Sequence, residues 1–383
     1  MSNNKSHSVY LKDILFRQKG INITAQQMKE LDSANGNIKV FAGGNTTANI
    51  QIDDIPEKYI ITKPSIIVKS RGNIDFDYYE GPFTHKNELW SYSTNSNDVN
   101  LKYIYYILKV NKYSFVNKAK ANSVKLPQLT VGDTDNFEIP LPHIKVQEEI
   151  VKILDSFTNL IDALNEELSL RQKQLEYYRD QLYDDLFKKT KGVDVLCFSE
   201  LGQIERGKRF VRDDIKTHGQ PCIHYGDMYT FYGVKSNKAK TYLDRDFPKK
   251  MRYADIGDVI IVGAGENNWD IGVGLAWLGE EPAAVHDACY IVKHNNNPLF
   301  IAYYTRTTEY HQQLKKCVSE GKICSFSAEG LGKVTIPIPS LAIQLSIVEK
   351  LDAFESLISS LKEEIALRQK QYEYYREKLL TFD

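Results

Sequence analysis

Two clusters that mix cations with amide or aromatic side chains carry the strongest chemical signal in this 383-residue chain. Arg206-Gly207-Lys208-Arg209-Phe210 sets three cations beside a flexible glycine and an aromatic ring, and Lys69, Arg71, Lys86, Asn87 and Trp90 make a similar mixture in the first half. Asn267 and Asn268 add a pair of neighbouring amides. These are residue types that read nucleic acid: arginine engages guanine O6 and N7, asparagine pairs with the adenine edge, and lysine serves phosphates. Taken singly, each is as readily an ordinary solvated surface residue.

Signals for covalent chemistry are weaker. Gly263-Ala264-Gly265 follows a hydrophobic run like the opening of a dinucleotide fingerprint, but the third glycine position is Asn268 and Trp269-Asp270-Ile271-Gly272 does not begin a helix. A phosphate would then lack the helix N-terminus that binds it. Asn297-Pro298-Leu299-Phe300 departs from the Asn-Pro-Pro-Tyr motif of amino-methyltransferases at the second proline, and reads as a loop entering a helix. His85, His224 and His286 lack partners at catalytic or metal spacing, so structural roles are expected. No Walker A sequence, Gly-x-x-x-x-Gly-Lys followed by Ser or Thr, is present. Neither a catalytic residue, a metal site nor a bound cofactor is expected on this chain.

Five cysteines, Cys197, Cys222, Cys289, Cys317 and Cys324, lie in the second half without a Cys-x-x-Cys pair, which argues against zinc and disulfide frameworks. A reducing, cytoplasmic setting is the expectation. No run approaches the ~20 apolar residues of a membrane span, and Met1-Ser2-Asn3-Asn4-Lys5 opens without the apolar core of a secretory signal. The net charge of −1 conceals a division: residues 1–142 hold 17 basic against 14 acidic side chains, while residues 143–191 hold 8 against 10 and residues 343–383 hold 6 against 8. So slight a basic bias means that DNA affinity must rest on local patches or on a partner.

The elements that position these residues come from a repeat. Residues 139–186 and 336–383 align at an offset of 197 without a gap, and 24 of 48 positions are identical. Each begins Ile-Pro-x-Pro and runs through Leu-Arg-Gln-Lys-Gln to Glu-Tyr-Tyr-Arg, at Glu176–Arg179 and Glu373–Arg376. Chance does not produce this; the chain is a tandem duplication. Apolar residues recur at steps of four and three, from Ile150, Leu154 and Phe157 to Leu182, and from Ile347, Leu351 and Phe354 to Leu379. A 3.5-residue period held this long predicts a coiled coil rather than a helix lying on one core. Gln172 and Gln369 read as polar interruptions of the two seams. Helices over about 147–186 and 344–382 would each be roughly 60 Å long. The second would return antiparallel to the first and hold the two globular parts apart.

Those globular parts are similar in plan. Leu11-Lys12-Asp13-Ile14 parallels Leu201-Gly202-Gln203-Ile204, Ile66 to Gly72 takes the place of Val259 to Gly265, and Lys125-Leu126 matches Lys322-Ile323. Short strands such as Lys58-Tyr59-Ile60-Ile61 and Tyr290-Ile291-Val292 alternate with Gly, Asn and Asp turns, and short helices are expected at 101–109 and 299–307. The fold class is therefore α+β: two mixed α/β domains joined by two long antiparallel coiled-coil helices in a tandem pseudo-twofold repeat.

The domain–helix–domain–helix order, the Ile-Pro-x-Pro segments followed by Gln147 or Gln344, and the paired helix motifs together resemble the specificity subunits of type I restriction–modification enzymes over essentially the whole chain. Gly257-Asp258 before a hydrophobic strand also fits that family's pattern, with Pro64-Ser65 in its place in the first copy. The resemblance implies target recognition domains at 1–142 and 192–339, each reading half of a bipartite sequence in double-stranded DNA. It implies that the helices at 143–191 and 340–383 set the spacer and dock two methyltransferase subunits. Arg171, Gln172, Tyr177 and Arg179, with Arg368, Gln369, Tyr374 and Arg376, are the candidate partner-binding residues. S-adenosylmethionine and ATP would belong to partner subunits, two restriction/translocase subunits among them, and no membrane is involved. The competing readings are a coiled-coil protein-interaction scaffold without DNA binding and a catalytic methyltransferase or nuclease; the missing motifs count against the second.

Overall fold

Proline holds the two Ile-Pro-x-Pro segments extended, and each becomes one strand of a two-stranded antiparallel pair: Glu138–Leu141 with His7–Tyr10, and Thr335–Ile338 with Asp194–Cys197. Each strand then feeds a long helix, Ile144–Lys188 or Leu341–Leu380. The computed structural model describes residues 7–123, 125–188, 192–247, 250–265, 271–319, 321 and 323–381. The chain divides into two compact units, residues 1–164 with 364–383, and residues 165–363.

In the first unit, an antiparallel sheet runs in the order Phe16–Lys19, Trp90–Ser93, Ser65–Lys69, Asp75–Tyr79. A smaller sheet sets Ile38–Phe41 between antiparallel Thr47–Ile50 and parallel Phe83–His85. The second unit repeats the plan. Its larger sheet runs Gly202–Arg206, Cys289–His294, Val259–Val262, Gly274–Trp277, with Lys235–Ser236 added at the edge. Its smaller sheet has Gln220–Ile223 between antiparallel Thr241–Leu243 and parallel Ala283–Val285, which also pairs with Tyr253–Ala254.

This topology corrects three expectations. The helix Leu11–Ile14 corresponds to Phe198–Leu201, three residues before the match drawn from sequence: Leu11 N donates to Phe137 O and Phe198 N to Val334 O, acceptors 197 apart. Glu57–Tyr59 is a 3₁₀ turn rather than a strand, because Pro56 precedes it and leaves Pro56 O to accept from Tyr59 N. Gln172 and Gln369 are exposed; the four-three step places the half-buried Arg171 and Arg368 in the stripe instead. The expected helices occur as Leu101–Val110 and Pro298–Tyr304, while Phe382 and Lys322 lie outside the described residues.

Each long helix begins as part of a globular core. Ile150, Val151 and Leu154 are buried with Tyr103, Ile104 and Ile107 of the first unit; Ile347, Val348 and Leu351 are buried with Phe300, Ile301 and Tyr304 of the second. Within each unit the early part of one long helix lies against the late part of the other, so the pairing is antiparallel. Phe157 stacks on Tyr375 at 5.5 Å in the first unit, and Tyr178 stacks on Phe354 at 5.5 Å in the second. These are the same two sequence positions with the copies exchanged. No helix among the described residues is long and apolar enough to cross a membrane.

Leu154 is wholly buried where the helix enters the first core. Leu154→Ala is expected to cost about 2–5 kcal/mol, read as a lowered denaturant midpoint for that unit. Acid should act on the second unit through His294, whose imidazole burial pushes down to about 4. An unfolded imidazole titrates near ~6.5, so between these values the unfolded chain binds the extra proton. This histidine's contribution is therefore complete above ~6.5 and declines as pH falls toward 4. Denaturant midpoints should drop between pH ~7.5 and ~5, and less steeply in His294→Gln.

Candidate nucleic-acid interface

In both units the first strand of the larger sheet ends in a cation and a glycine, and the chain then crosses to the smaller sheet. Arg206 closes the strand Gly202–Arg206 and Lys19 closes Phe16–Lys19; both side chains are exposed. The glycines are obligatory. A Cβ on Gly207 would lie 2.3 Å from His286 O, and one on Gly20 would lie 2.0 Å from His85 O. Lys208 N then donates to Val285 O, and Ile21 N to His85 O, at 2.9 and 2.8 Å. The two corners are thus structural equivalents, and Lys19 is a candidate that local sequence reasoning missed. Its only signal was Lys19-Gly20 matching Arg206-Gly207, legible once the strands are aligned.

In the second unit the corner presents its cations outward. Arg206 Nε donates to Asp287 O at 2.7 Å, and Arg252 donates to Arg206 O at 2.6 Å. Lys208 and Arg209 are exposed. Phe210 is not a stacking platform: it is fully buried among Cys222, Leu243, Met251 and Ala284, and anchors the loop that carries the cations. Its ring meets His286 edge-on at 5.1 Å, and His286 lies 4.7 Å from His224. Burial pushes both imidazoles below the ordinary histidine range; Asp287 pulls His286 back up, while His224 and Arg209 lower it further. Asn267 and Asn268 lie outside the described residues.

In the first unit the candidates separate. Arg71 and Asn87 are exposed and Lys86 is half-buried, paired with Glu88 at 3.0 Å. The Ser70 hydroxyl donates to Glu88 O, fastening the turn that carries Lys86 and Asn87 to the strand end that leads into Arg71. Lys69 and Trp90 do not belong with them. Lys69 is 6% exposed, with its ammonium 2.7 Å from Asp77, and Trp90 is 7% exposed, its indole donating to Thr134. Both are spent inside the domain, since an ammonium or indole N–H out of reach of water needs a partner there. His85 is likewise structural: wholly buried, with ring nitrogens near Lys86 O and Ser91 Oγ.

The helix candidates also sort by exposure. Arg171 pairs with Glu167 and Gln174, and Arg368 with Glu364 and Gln371, in matching geometry. Arg179 is turned inward, with a side chain 14% exposed and paired to Asp180, and the Arg376 guanidinium lies over the Tyr372 ring. Gln172, Gln369, Tyr177 and Tyr374 face outward. Leu170 and Leu367, not singled out from sequence, are 58% and 65% exposed one heptad before the tyrosines. Exposed apolar side chains repeated at one position of a duplicated helix mark a binding surface better than scattered ones do. Among the described residues no group of His, Cys, Asp and Glu could hold a metal ion.

Comparison with known proteins bears on this arrangement. A Haemophilus influenzae chain assigned as a type I restriction enzyme specificity subunit is 29% identical over 387 residues, covering 94% of this chain and 92% of that one. The EcoR124I/EcoR124II specificity subunit of Escherichia coli is 28% identical, covering 76% and 73%. The fold matches the S subunit of a type I restriction-modification system from M. genitalium with a TM-score of 0.61 at 15% identity, over 100% of this chain and 98% of that one. The family model described as the type I restriction modification DNA specificity domain matches twice, at residues 7–171 and 190–367. With both copies of the repeat accounted for, the chain belongs to the type I restriction-modification DNA specificity family.

Proposed function

We propose that this chain is the non-catalytic subunit that selects DNA for a methyltransferase complex, each globular domain reading one half of a bipartite site. The observation that carries this reading is the pair of equivalent corners: one backbone device presents Lys19 in one domain and Arg206, Lys208 and Arg209 in the other. The same scaffold with unlike side chains suits two half-sites of different sequence. Recognition domains at 1–142 and 192–339 and helical segments at 143–191 and 340–383 complete the proposal. The helices set the interval between half-sites, and tethering converts two weak readers into one tight one through effective concentration.

The exposed Leu170–Tyr177 and Leu367–Tyr374 patches are the surfaces proposed for two copies of the methyltransferase subunit. Duplicate patches suit a duplicate partner. S-adenosylmethionine and ATP are assigned to partner subunits, restriction/translocase subunits included, and the setting to the cytoplasm. A protein-interaction scaffold would need the helix patches but has no use for exposed cations on the domain corners.

Alanine at both Lys208 and Arg209 is expected to lower the affinity of the assembled complex for its duplex and to flatten its log–log salt dependence by about 2 units if both meet phosphate. Mapping of methylated adenines should then show relaxed sequence preference in one half-site only; unchanged affinity and motif would exclude this corner. Tyr177→Ala and Tyr374→Ala should each weaken capture of one methyltransferase copy by about tenfold or more, read as loss of one partner per chain in native mass spectrometry. Retention of both partners in the double variant would exclude these patches.

A further inference from the structure

The two units share one buried polar device where domain meets helix. Gln147 is completely buried: its amide oxygen accepts from Asn100 N at 2.8 Å, and its amide nitrogen donates to Asp98 O and Pro142 O. Gln344 repeats this, accepting from Asn297 N at 3.0 Å and donating to Asn296 Oδ1 and Pro339 O. Asn100 and Asn297 in turn cap the helices Leu101–Val110 and Pro298–Tyr304. Two turns further on, Tyr106 donates to Asp155 Oδ1 at 2.5 Å and Tyr303 donates to Asp352 Oδ1 at 2.7 Å. All of these pairs obey the 197-residue offset except Asp98 and Asn296, which supply a backbone and a side-chain oxygen to the two amides.

The second carboxylate oxygen is the telling one. Lys102, from the domain's own capped helix, reaches Asp155 Oδ2 at 2.8 Å, whereas Lys235, from a strand at the sheet edge, reaches Asp352 Oδ2 at 2.6 Å. The residue equivalent to Lys102 is Leu299. An ammonium therefore arrives at the same aspartate by two unrelated routes, which a merely inherited contact would not show.

Apolar packing around Leu154 and Leu351 holds domain to helix but is non-directional and tolerates rolling. Hydrogen bonds to a carboxylate fix direction and distance. The lever is long enough to matter: rolling the domain by about 10° moves a point roughly 20 Å away, just beyond the ~14 Å radius of gyration of such a domain, by about 3.5 Å. That is about one base-pair step. We propose that Tyr106–Asp155 and Tyr303–Asp352, with their glutamine clamps, are positioning residues that fix the angle of each recognition domain on its helix and so set discrimination between spacer lengths. This rests on the bipartite reading above.

The test uses the chain assembled with its methyltransferase subunits and duplexes carrying the mapped half-sites with the native spacer or one base pair more or less. Tyr106→Phe, Tyr303→Phe and the isosteric Asp155→Asn are expected to raise methylation of off-length duplexes relative to the native one by about tenfold, the scale of losing one hydrogen bond to a charged group, with both half-sites still required. Tyr92→Phe is the control: that buried hydroxyl bonds Thr134 and Asp135 within the domain, away from the helix. It should lower the denaturant midpoint while leaving the spacer ratio unchanged. Equal losses at every spacer length, or the same relaxation in Tyr92→Phe, would overturn the positioning role and leave a stability role. Indifference of the unsubstituted complex to spacer length would overturn the bipartite reading itself.

Discussion

Neither recognition domain has a complete core without the opening turns of a long helix. Ile150, Val151 and Leu154 on one side, and Ile347, Val348 and Leu351 on the other, are buried in the same apolar clusters as residues of the domains' sheets and short helices. Removing such side chains from water is the dominant favourable term in folding, so domain and helix fold as one body in each unit. A joint of this kind differs from a linker. It transmits orientation, whereas a polar tether would transmit only distance.

That constraint explains what the sequence disclosed. Positions answering to both a helical stripe and a domain core have little freedom, and so the repeat survives at full length where Gln147, Leu154, Asp155 and Phe157 meet their counterparts. The extended Ile-Pro-x-Pro segments were legible for a different reason: the geometry that proline imposes is local. Exposure of a single cation was not. Lys69 and Arg71 stand two residues apart with similar chemistry, yet Lys69 ends a strand buried throughout and pairs with Asp77, while Arg71, beyond the strand, faces water. Trp90 was misjudged because its partner, Thr134, lies forty-four residues away. The slip between Leu11 and Leu201 arose because the spacing between matching elements differs by ten residues across the domain cores, so the 197 offset does not extend to the start. In the seams Arg171 and Gln172 are adjacent, and it is the three-four step from Leu168 to Leu175 that selects Arg171 as the stripe position.

Near-neutral net charge and DNA recognition are compatible once paired and unpaired cations are distinguished. Lys69, Lys109 and Lys112 are committed to Asp77 and Asp75, and Lys293 to Asp255 and Asp258. Their fields are cancelled within a few ångströms and contribute little at a duplex surface. Lys19, Lys208 and Arg209 keep their charge outward at the corners. Totals of charge therefore understate the local potential, and what matters is where cations lack internal carboxylates.

The same distinction between satisfied and available polar groups separates what the duplication preserved from what it let diverge. A buried glutamine with both ends of its amide bonded cannot change without stranding a backbone N–H or carbonyl, a cost of about 1–3 kcal/mol for each group left unpaired. An exposed lysine at a corner strands nothing when it changes, because water takes its place. Divergence can then accumulate at the corners, where Lys19 answers to Arg206 across the alignment, while the clamping glutamines Gln147 and Gln344 are the same residue. Lys102 and Lys235 mark the boundary between these regimes: the carboxylate they serve is fixed, but the route by which the ammonium reaches it is free. A scaffold so divided can alter what its surface contacts without altering the angle at which that surface is presented.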